Sequence, residues 1–70
     1  MNTKTKRTKA FECMLDRQET YATISRKLRD KGYILNERTV YRYITGKEVP
    51  SKPIKKAIAE VLRCLVSDIF

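Results

Sequence analysis

The stretch NERTVYRYITGK, residues 36–47, decides how this 70-residue sequence is interpreted. Its middle is rich in β-branched and aromatic residues, a composition typical of a strand. Its ends favour a helix, because Asn36 is a good N-cap residue and Gly46 suits a helix end. As a strand it would have no cleanly apolar face, whereas in a helix Val40, Tyr43 and Ile44 share one face at i, i+3 and i+4. The pattern therefore predicts a helix over residues 36–45.

The composition bounds the fold and the chemistry. A chain of 70 residues forms one domain with a small core. Two glycines and two prolines favour helices over a turn-rich β fold. The absence of histidine excludes imidazole acid–base chemistry and histidine-ligated metal sites. No serine or cysteine has a base nearby in the sequence, and no glycine-rich loop or metal-ligand spacing occurs. We therefore expect no enzyme, no cofactor, no metal and no small-molecule substrate.

The charge is the strongest compositional signal. The chain carries 16 lysine and arginine residues against eight acids, a net charge of +8. Residues 1–10 hold +4, residues 26–41 hold +3 and residues 42–56 hold +4, while the other segments are slightly acidic. A basic stripe of this kind suits a polyanion. A membrane surface is the competing polyanion, but no segment joins a strong apolar face to a lysine-rich face.

Two helices are predicted before the quoted stretch. Residues 1–7 are predicted to form a flexible basic arm, and residues 8–70 are predicted to form the domain. Thr8 caps a helix to about Arg17, and Thr20 caps a second helix that ends near Gly32. The first helix is predicted to bury Phe11, Met14 and Leu15, and the second to bury Ile24 and Leu28. The segment 33–35 then crosses the core.

A helix capped by Ser51 and a short last turn follow the quoted stretch. Pro53 is tolerated in the first turn of the capped helix. Its apolar stripe at i, i+3, i+4, i+7 and i+8 is Ile54, Ala57, Ile58, Val61 and Leu62. Ser67 is predicted to cap the last turn, with Ile69 and Phe70 folded back on the core.

The number and spacing of the cysteines bear on the redox compartment of the protein. Cys13 and Cys64 are far apart and lack a CxxC partner, so a disulfide between them is geometrically possible but has no support in the sequence. No secretory signal and no apolar run of membrane-spanning length occurs. We therefore predict that both cysteines are free thiols in the reducing cytoplasm and that they are buried in the core as small hydrophobic residues.

Two short helices, a connection and a basic second helix predict a helix-turn-helix, whose second helix enters the DNA major groove. Arginine bonds guanine, glutamate accepts from cytosine and threonine contacts thymine. The competing interpretation is an ordinary solvated face, which usually carries Glu–Lys ladders and alanine that are missing here. The expected base-reading residues are Glu37, Arg38, Thr39, Tyr41 and Arg42. The expected phosphate-binding residues are Thr20, Tyr21, Arg26, Asn36, Lys47 and Lys52.

The quoted run resembles the recognition helix and exit of the Cro and lambda-repressor-like helix-turn-helix family. In that pattern a capping Ser or Asn is followed by an apolar residue four later (Val40), another three beyond (Tyr43), and Gly46 ten after the cap. IKKAIAEVLRCLVSDIF resembles the family's closing helix, and TYATIS stands in the place of its first motif helix. The resemblance implies a small all-α domain of four to five helices. It also implies a sequence-specific regulator of phage or mobile-element origin that binds double-stranded DNA.

Three departures from the family pattern accompany this resemblance. The connection from Leu28 to Asn36 is longer than the family's tight turn, Tyr21 replaces a phosphate-contacting Gln, and Arg63 replaces a Gly after the closing helix. The run LRDKGYILNERTVYR also resembles winged helix-turn-helix domains such as the arginine repressor, but the predicted fourth helix takes the place of a wing.

Two further expectations concern protein partners. Family members often bind as dimers, and the candidate homodimer residues here are Leu65, Ile69 and Phe70. The alternative function is an antirepressor-like module that uses the same fold to bind a protein. RNA binding lacks an exposed aromatic sheet platform.

Overall fold

The computed structural model describes residues 8–70, which contain five helices and no strand. The all-α prediction is therefore confirmed over this range, and the predicted arm 1–7 lies outside the described residues. The helices are α1 (Lys9–Asp16), α2 (Tyr21–Asp30), α3 (Glu37–Ile44), α4 (Lys52–Leu62) and α5 (Val66–Ile69). No helix within residues 8–70 has the length and apolarity needed to cross a bilayer.

The core lies where α2 packs against α3 and α4. The α5 helix packs on α1 and on α4 and closes the other side. Six large side chains are fully buried: Ile24, Leu28, Val40, Ile44, Ile58 and Leu62. Each was expected at an inner position from its helical spacing, so the apolar periodicity located the core correctly.

The poor helix formers of α3 are held by caps at both ends. The Asn36 side chain accepts from the Thr39 backbone N–H at 2.8 Å. At the other end, Lys47 N–H donates to the Arg42 carbonyl and Gly46 N–H donates to the Tyr43 carbonyl, with Gly46 at φ +83°. This pairing is the Schellman motif, which satisfies the last carbonyls of a helix. Caps and the buried Val40 and Ile44 offset the low propensity of the stretch.

The caps give a matched pair of stability predictions. Asn36→Ala is expected to lower the free energy of unfolding by about 0.5–2 kcal/mol, because an N-cap hydrogen bond is lost. Ser51 precedes α4 but makes no side-chain cap hydrogen bond. Ser51→Ala should therefore cost clearly less than Asn36→Ala in urea unfolding followed by circular dichroism. Equal costs would contradict the assignment of the cap to the Asn36 side chain.

The end of α4 has a left-handed residue that is not glycine. Arg63 adopts φ +57° and ψ +43°, at the position where the family resemblance implies Gly. Cys64 N–H donates to the Ala59 carbonyl across this turn. The Arg17 guanidinium also donates to the Leu62 and Arg63 carbonyls, at 2.9 and 3.3 Å. Arginine takes the glycine conformation here, and a second arginine supplies partners for the exposed helix end.

Several side chains expected in the core lie at the surface. Leu15 is 47% exposed, because α1 buries Ala10 and Met14 and Leu15 follows one residue later around the helix. Ile34 is 78% exposed in the connection before α3, so the segment 33–35 does not cross the core as a unit. Its neighbour Leu35 is half-buried, and the Leu35 carbonyl accepts from the buried Ser25 hydroxyl at 2.6 Å.

The chain end also differs from expectation. Leu65, not Ser67, precedes α5, and Ser67 lies inside that helix. Ile69 is buried, which removes it from the candidate homodimer residues. Phe70 is 38% exposed, and its ring lies 6.0 Å from the Lys55 ammonium. Leu65 is exposed as well, so the two remaining candidates both lie at the surface.

The prediction of free thiols is wrong, because Cys13 and Cys64 form a disulfide. The pair is separated by 51 positions, and neither residue carries a local pairing motif. The fold brings them together by placing α1 beside the end of α4. Sequence spacing alone could not show that proximity.

Candidate nucleic-acid interface

The outer face of α3 presents four of the five predicted base-reading residues. Glu37, Arg38, Tyr41 and Arg42 are exposed. At 3.6 residues per turn they cover an arc of about 140° on one side of the helix. Thr39 lies beyond the edge of this arc and is half-buried, so it is peripheral to the face. The face combines a carboxylate, two guanidinium groups and a phenol, all of which can bond base edges or phosphates.

Two tyrosines join the start of α2 to the middle of α3. The rings of Tyr21 and Tyr41 meet edge to face, with centroids 5.4 Å apart and planes at 88°. Burial, with a smaller contribution from Tyr41, raises the pKa of the Tyr21 hydroxyl above its ordinary 10.0. The hydroxyl is therefore protonated at neutral pH and can donate to a phosphate. The structure thus brings Tyr21 to the same surface as the α3 face.

Thr20 and Asn36 act in helix caps. The Thr20 hydroxyl accepts from the Thr23 backbone N–H, and the Thr23 hydroxyl accepts from the Thr20 backbone N–H in return. This capping box fixes the first turn of α2. Asn36 uses its Oδ1 atom in the α3 cap, which leaves its Nδ2 amide as the group that could donate to a phosphate. Both residues therefore shape a helix N-terminus, where backbone N–H groups favour anions.

The exit of α3 adds both a cation and an anion. Lys47 is exposed and follows the Gly46 turn directly. Glu48 lies beside Arg42, with 3.9 Å between the carboxylate oxygen Oε1 and the guanidinium nitrogen Nη1. Both side chains are about half exposed, so this ion pair is weak. Sequence reasoning missed Glu48, although its position six residues after Arg42 across a glycine turn was a usable signal.

Two predicted phosphate contacts lie apart from this cluster. Arg26 is exposed on α2, but five residues separate it from Tyr21, which places it about 140° away around the helix axis. Lys52 is exposed as the first residue of α4. Arg26, Arg38, Lys47 and Lys52 have no ion-pair partner among residues 8–70. Their charge is available to an external anion, although the structure does not bring Arg26 and Lys52 onto the α3 face.

A partly buried ion pair joins Lys27 of α2 to Glu19, which lies just before the helix. The Lys27 ammonium contacts the Glu19 carboxylate at 2.6 Å, and the Glu19 side chain is only 9% exposed. The bonds from Lys27 and the Thr23 hydroxyl hold the pKa of Glu19 below its ordinary 4.5. The Glu19 carboxylate thus offsets the positive charge of Lys27, so Lys27 contributes little to the attraction of a polyanion.

This pair predicts a pH-dependent part of the stability. Because the folded pKa of Glu19 is lowered, its contribution is complete above the unfolded value and is lost as pH falls through the folded value. Glu19→Gln should therefore lower the free energy of unfolding at pH 7 and have no effect well below the lowered pKa. Lys27→Gln is the matched partner variant and should show the same trend. Equal effects of Glu19→Gln at pH 7 and at low pH would contradict the assignment.

The start of α1 contacts the exit of α3. The Thr8 hydroxyl donates to the Ile44 carbonyl and accepts from the Phe11 backbone N–H. A Cβ atom on Gly46 would meet the Thr8 methyl group at 3.4 Å. The residue that follows the predicted basic arm is therefore fixed beside the C-terminal end of α3. The sequence predicted Thr8 as a cap only.

No protein-family model, curated protein or solved structure matches this chain. Its family therefore stays a prediction from the sequence. Within residues 8–70, no three cysteine, aspartate or glutamate side chains come together as metal ligands would.

Proposed function

We propose that this chain is a sequence-specific regulator that binds double-stranded DNA, of the Cro and lambda-repressor-like helix-turn-helix class and of phage or mobile-element origin. In this proposal α2 and α3 form the motif, and α3 lies in the major groove. The observation that carries it is the exposed α3 face, with Arg38 unpaired within the described residues, on a helix fixed by two caps and two buried side chains. Tyr21 and Lys47 flank that face as phosphate ligands.

The net charge of +8 supports the same proposal. Neutralised phosphates release counterions, so affinity falls with salt at a slope of about −0.9 per phosphate contacted. The free cations near the face, with the basic arm, supply several such contacts. The slightly acidic segments, residues 11–25 and 57–70, correspond to α1, to the first turns of α2, to most of α4 and to α5. The basic residues thus lie in the arm, on α2 and α3, around the α3 exit and in the first half of α4.

The test is binding to a labelled random-sequence duplex, measured by fluorescence anisotropy at about 50 and about 200 mM salt. Binding at low salt and a loss of about 10³-fold or more over that range are expected for six or more phosphate contacts. Absence of binding at low salt would overturn the proposal. Stoichiometry on a selected palindromic site would show whether two chains bind together, with the exposed Leu65 and Phe70 as the proposed contact between them.

One observation favours the alternative of an antirepressor-like module that binds a protein. Tyr41 is 39% exposed on the face, which also carries the Glu37 carboxylate, and Glu48 lies beside Arg42. Tyrosine is enriched in protein interfaces, and carboxylates repel phosphates. A chain that fails to bind DNA at low salt but binds a purified helix-turn-helix repressor would support this alternative.

A further inference from the structure

The two sulfur atoms of the disulfide meet a guanidinium group at one backbone oxygen. The Leu62 carbonyl oxygen lies 3.6 Å from Cys13 Sγ, 3.4 Å from Cys64 Sγ and 2.9 Å from Arg17 Nε. In the disulfide the sulfurs carry no proton to donate. In the dithiol either S–H group can donate to this oxygen. The Leu62 carbonyl oxygen thus has the Arg17 guanidinium as its donor in the oxidised chain and would be in reach of a thiol after reduction.

The disulfide adds a covalent link between α1 and the end of α4. It attaches α1 to the residue that follows the α4 turn, directly before α5. The α1 helix packs on α5, α5 also packs on α4, and α2 packs on both α3 and α4. The Arg17 bonds to the Leu62 and Arg63 carbonyls are the other polar link at this end. The disulfide thus adds to the core contacts that hold α1 and α5 to the rest of the domain.

The other end of α1 contacts the candidate DNA surface. Thr8 donates to the Ile44 carbonyl at the end of α3 and packs beside Gly46. This contact is the route by which a change in the order of α1 would reach the exit of α3. Both cysteines are half-buried rather than fully buried.

We propose that Cys13 and Cys64 are a reversible modification site for low-molecular-weight disulfides of the glutathione class, and that oxidation locks α1 and α5 onto the domain. The influence on DNA affinity rests on the proposed function, whereas the reversible locking does not. The oxidised chain is the form with an ordered α3 exit and the higher DNA affinity.

The chemistry is two thiol–disulfide exchanges. A thiolate of the pair attacks the small disulfide, forms a mixed disulfide and releases one small thiolate. The second protein thiolate then attacks the protein sulfur of the mixed disulfide, which closes the Cys13–Cys64 bond and releases the second small thiolate. Two electrons pass from the protein sulfurs to the small disulfide, and the two protein protons end on the two released thiols. Excess reduced glutathione reverses both steps.

The first experiment equilibrates the full chain in buffers with different ratios of reduced to oxidised glutathione, followed by thiol alkylation and mass measurement. A reversible passage from dithiol to disulfide within the range of these buffers is expected. A pair that stays oxidised in excess reduced glutathione would overturn the proposal, since such a bond is a permanent cross-link.

The second experiment compares amide hydrogen exchange of the oxidised chain, the reduced chain and the Cys13→Ser/Cys64→Ser variant. Amides of α1 and α5 are expected to exchange at least about 10-fold faster on reduction, and by a larger factor than amides of α2, α3 and α4. If the disulfide stabilised the whole domain, its reduction would raise the amide exchange rates of all helices by the same factor. That outcome would overturn the proposal that oxidation locks α1 and α5 in particular. The variant should match the reduced chain in every glutathione buffer. If the variant fails to fold, the reduced wild-type chain alone decides the comparison.

The third measurement is the affinity of both forms for random-sequence DNA. The oxidised form is expected to bind about 10-fold more tightly. Equal binding by both forms would overturn the connection between α1 and the DNA surface. If neither form binds while the exchange difference is present, the proposed function fails and the reversible lock stands.

Discussion

Leu28→Ala is expected to lower the free energy of unfolding by about 2–5 kcal/mol, the largest single effect on stability predicted for this chain. Leu28 is fully buried on α2, the helix that packs against both α3 and α4. Removing three side-chain carbons there loses their transfer free energy and leaves a cavity. A domain of this size has a total stability of only about 4–10 kcal/mol. We therefore expect a large fall in the urea midpoint, measured by circular dichroism on the oxidised chain.

Leu15→Ala is the matched control for this prediction. It makes the same chemical change on α1, where the leucine is 47% exposed, so its cost should be about 0.5–1 kcal/mol. A cost at Leu15 equal to that at Leu28 would show that Leu15 is part of the core in solution. It would then contradict the placement of Ala10 and Met14 as the buried face of α1.

The helices and the core could be predicted from the sequence because both depend on local spacing. A helical face repeats every three or four residues, so Val40 with Ile44 and Ile58 with Leu62 are found without knowing any partner. Capping is similarly local, and Thr8, Thr20 and Asn36 were predicted correctly. Ser51 occupies the predicted cap position of α4 but makes no side-chain cap hydrogen bond, and the prediction of Ser67 as a cap was wrong, because Ser67 lies inside α5. The prediction failed where two adjacent apolar residues on a helix differ in exposure. Leu15 follows the buried Met14, and hydrophobicity alone does not show which of the two adjacent side chains faces the core.

The features that the sequence did not predict depend on contacts between residues that are distant in the chain. The Cys13–Cys64 pair and the Thr8 bond to the Ile44 carbonyl join positions 51 and 36 apart, and no local pattern encodes either. The Arg63 turn departs from the glycine expected at that place, because Arg17 from another helix supports the end of α4. In the candidate site, the α3 face followed from periodicity, whereas its contact with Tyr21 required the packing of α2 on α3.

The second prediction concerns the proposed base-reading residues. Arg38→Ala is expected to weaken binding to a site selected from a random DNA pool by about 1–3 kcal/mol, or about 5–150-fold. Arg38 is exposed and has no acidic partner within residues 8–70, so its guanidinium is available for bidentate bonding to guanine. Its loss should relax preference at one base pair and change random-sequence binding far less. Arg42→Ala should act in the same direction with a smaller effect, since Arg42 already has Glu48 as a neighbour.

Lys52→Ala and Glu48→Gln serve as controls with opposite expected effects on affinity, measured on the same selected and random DNA. Lys52 is exposed at the start of α4 and is proposed to bind a phosphate rather than a base, so its loss should weaken selected and random DNA equally and flatten the salt slope by about one unit. Glu48→Gln removes a negative charge beside Arg42, so it should tighten binding to both kinds of DNA. Equal losses on selected and random DNA for Arg38→Ala, as for Lys52→Ala, would contradict base reading by α3. Such a result would leave the α3 face as a phosphate-binding surface, because the arginine would then act only through its charge.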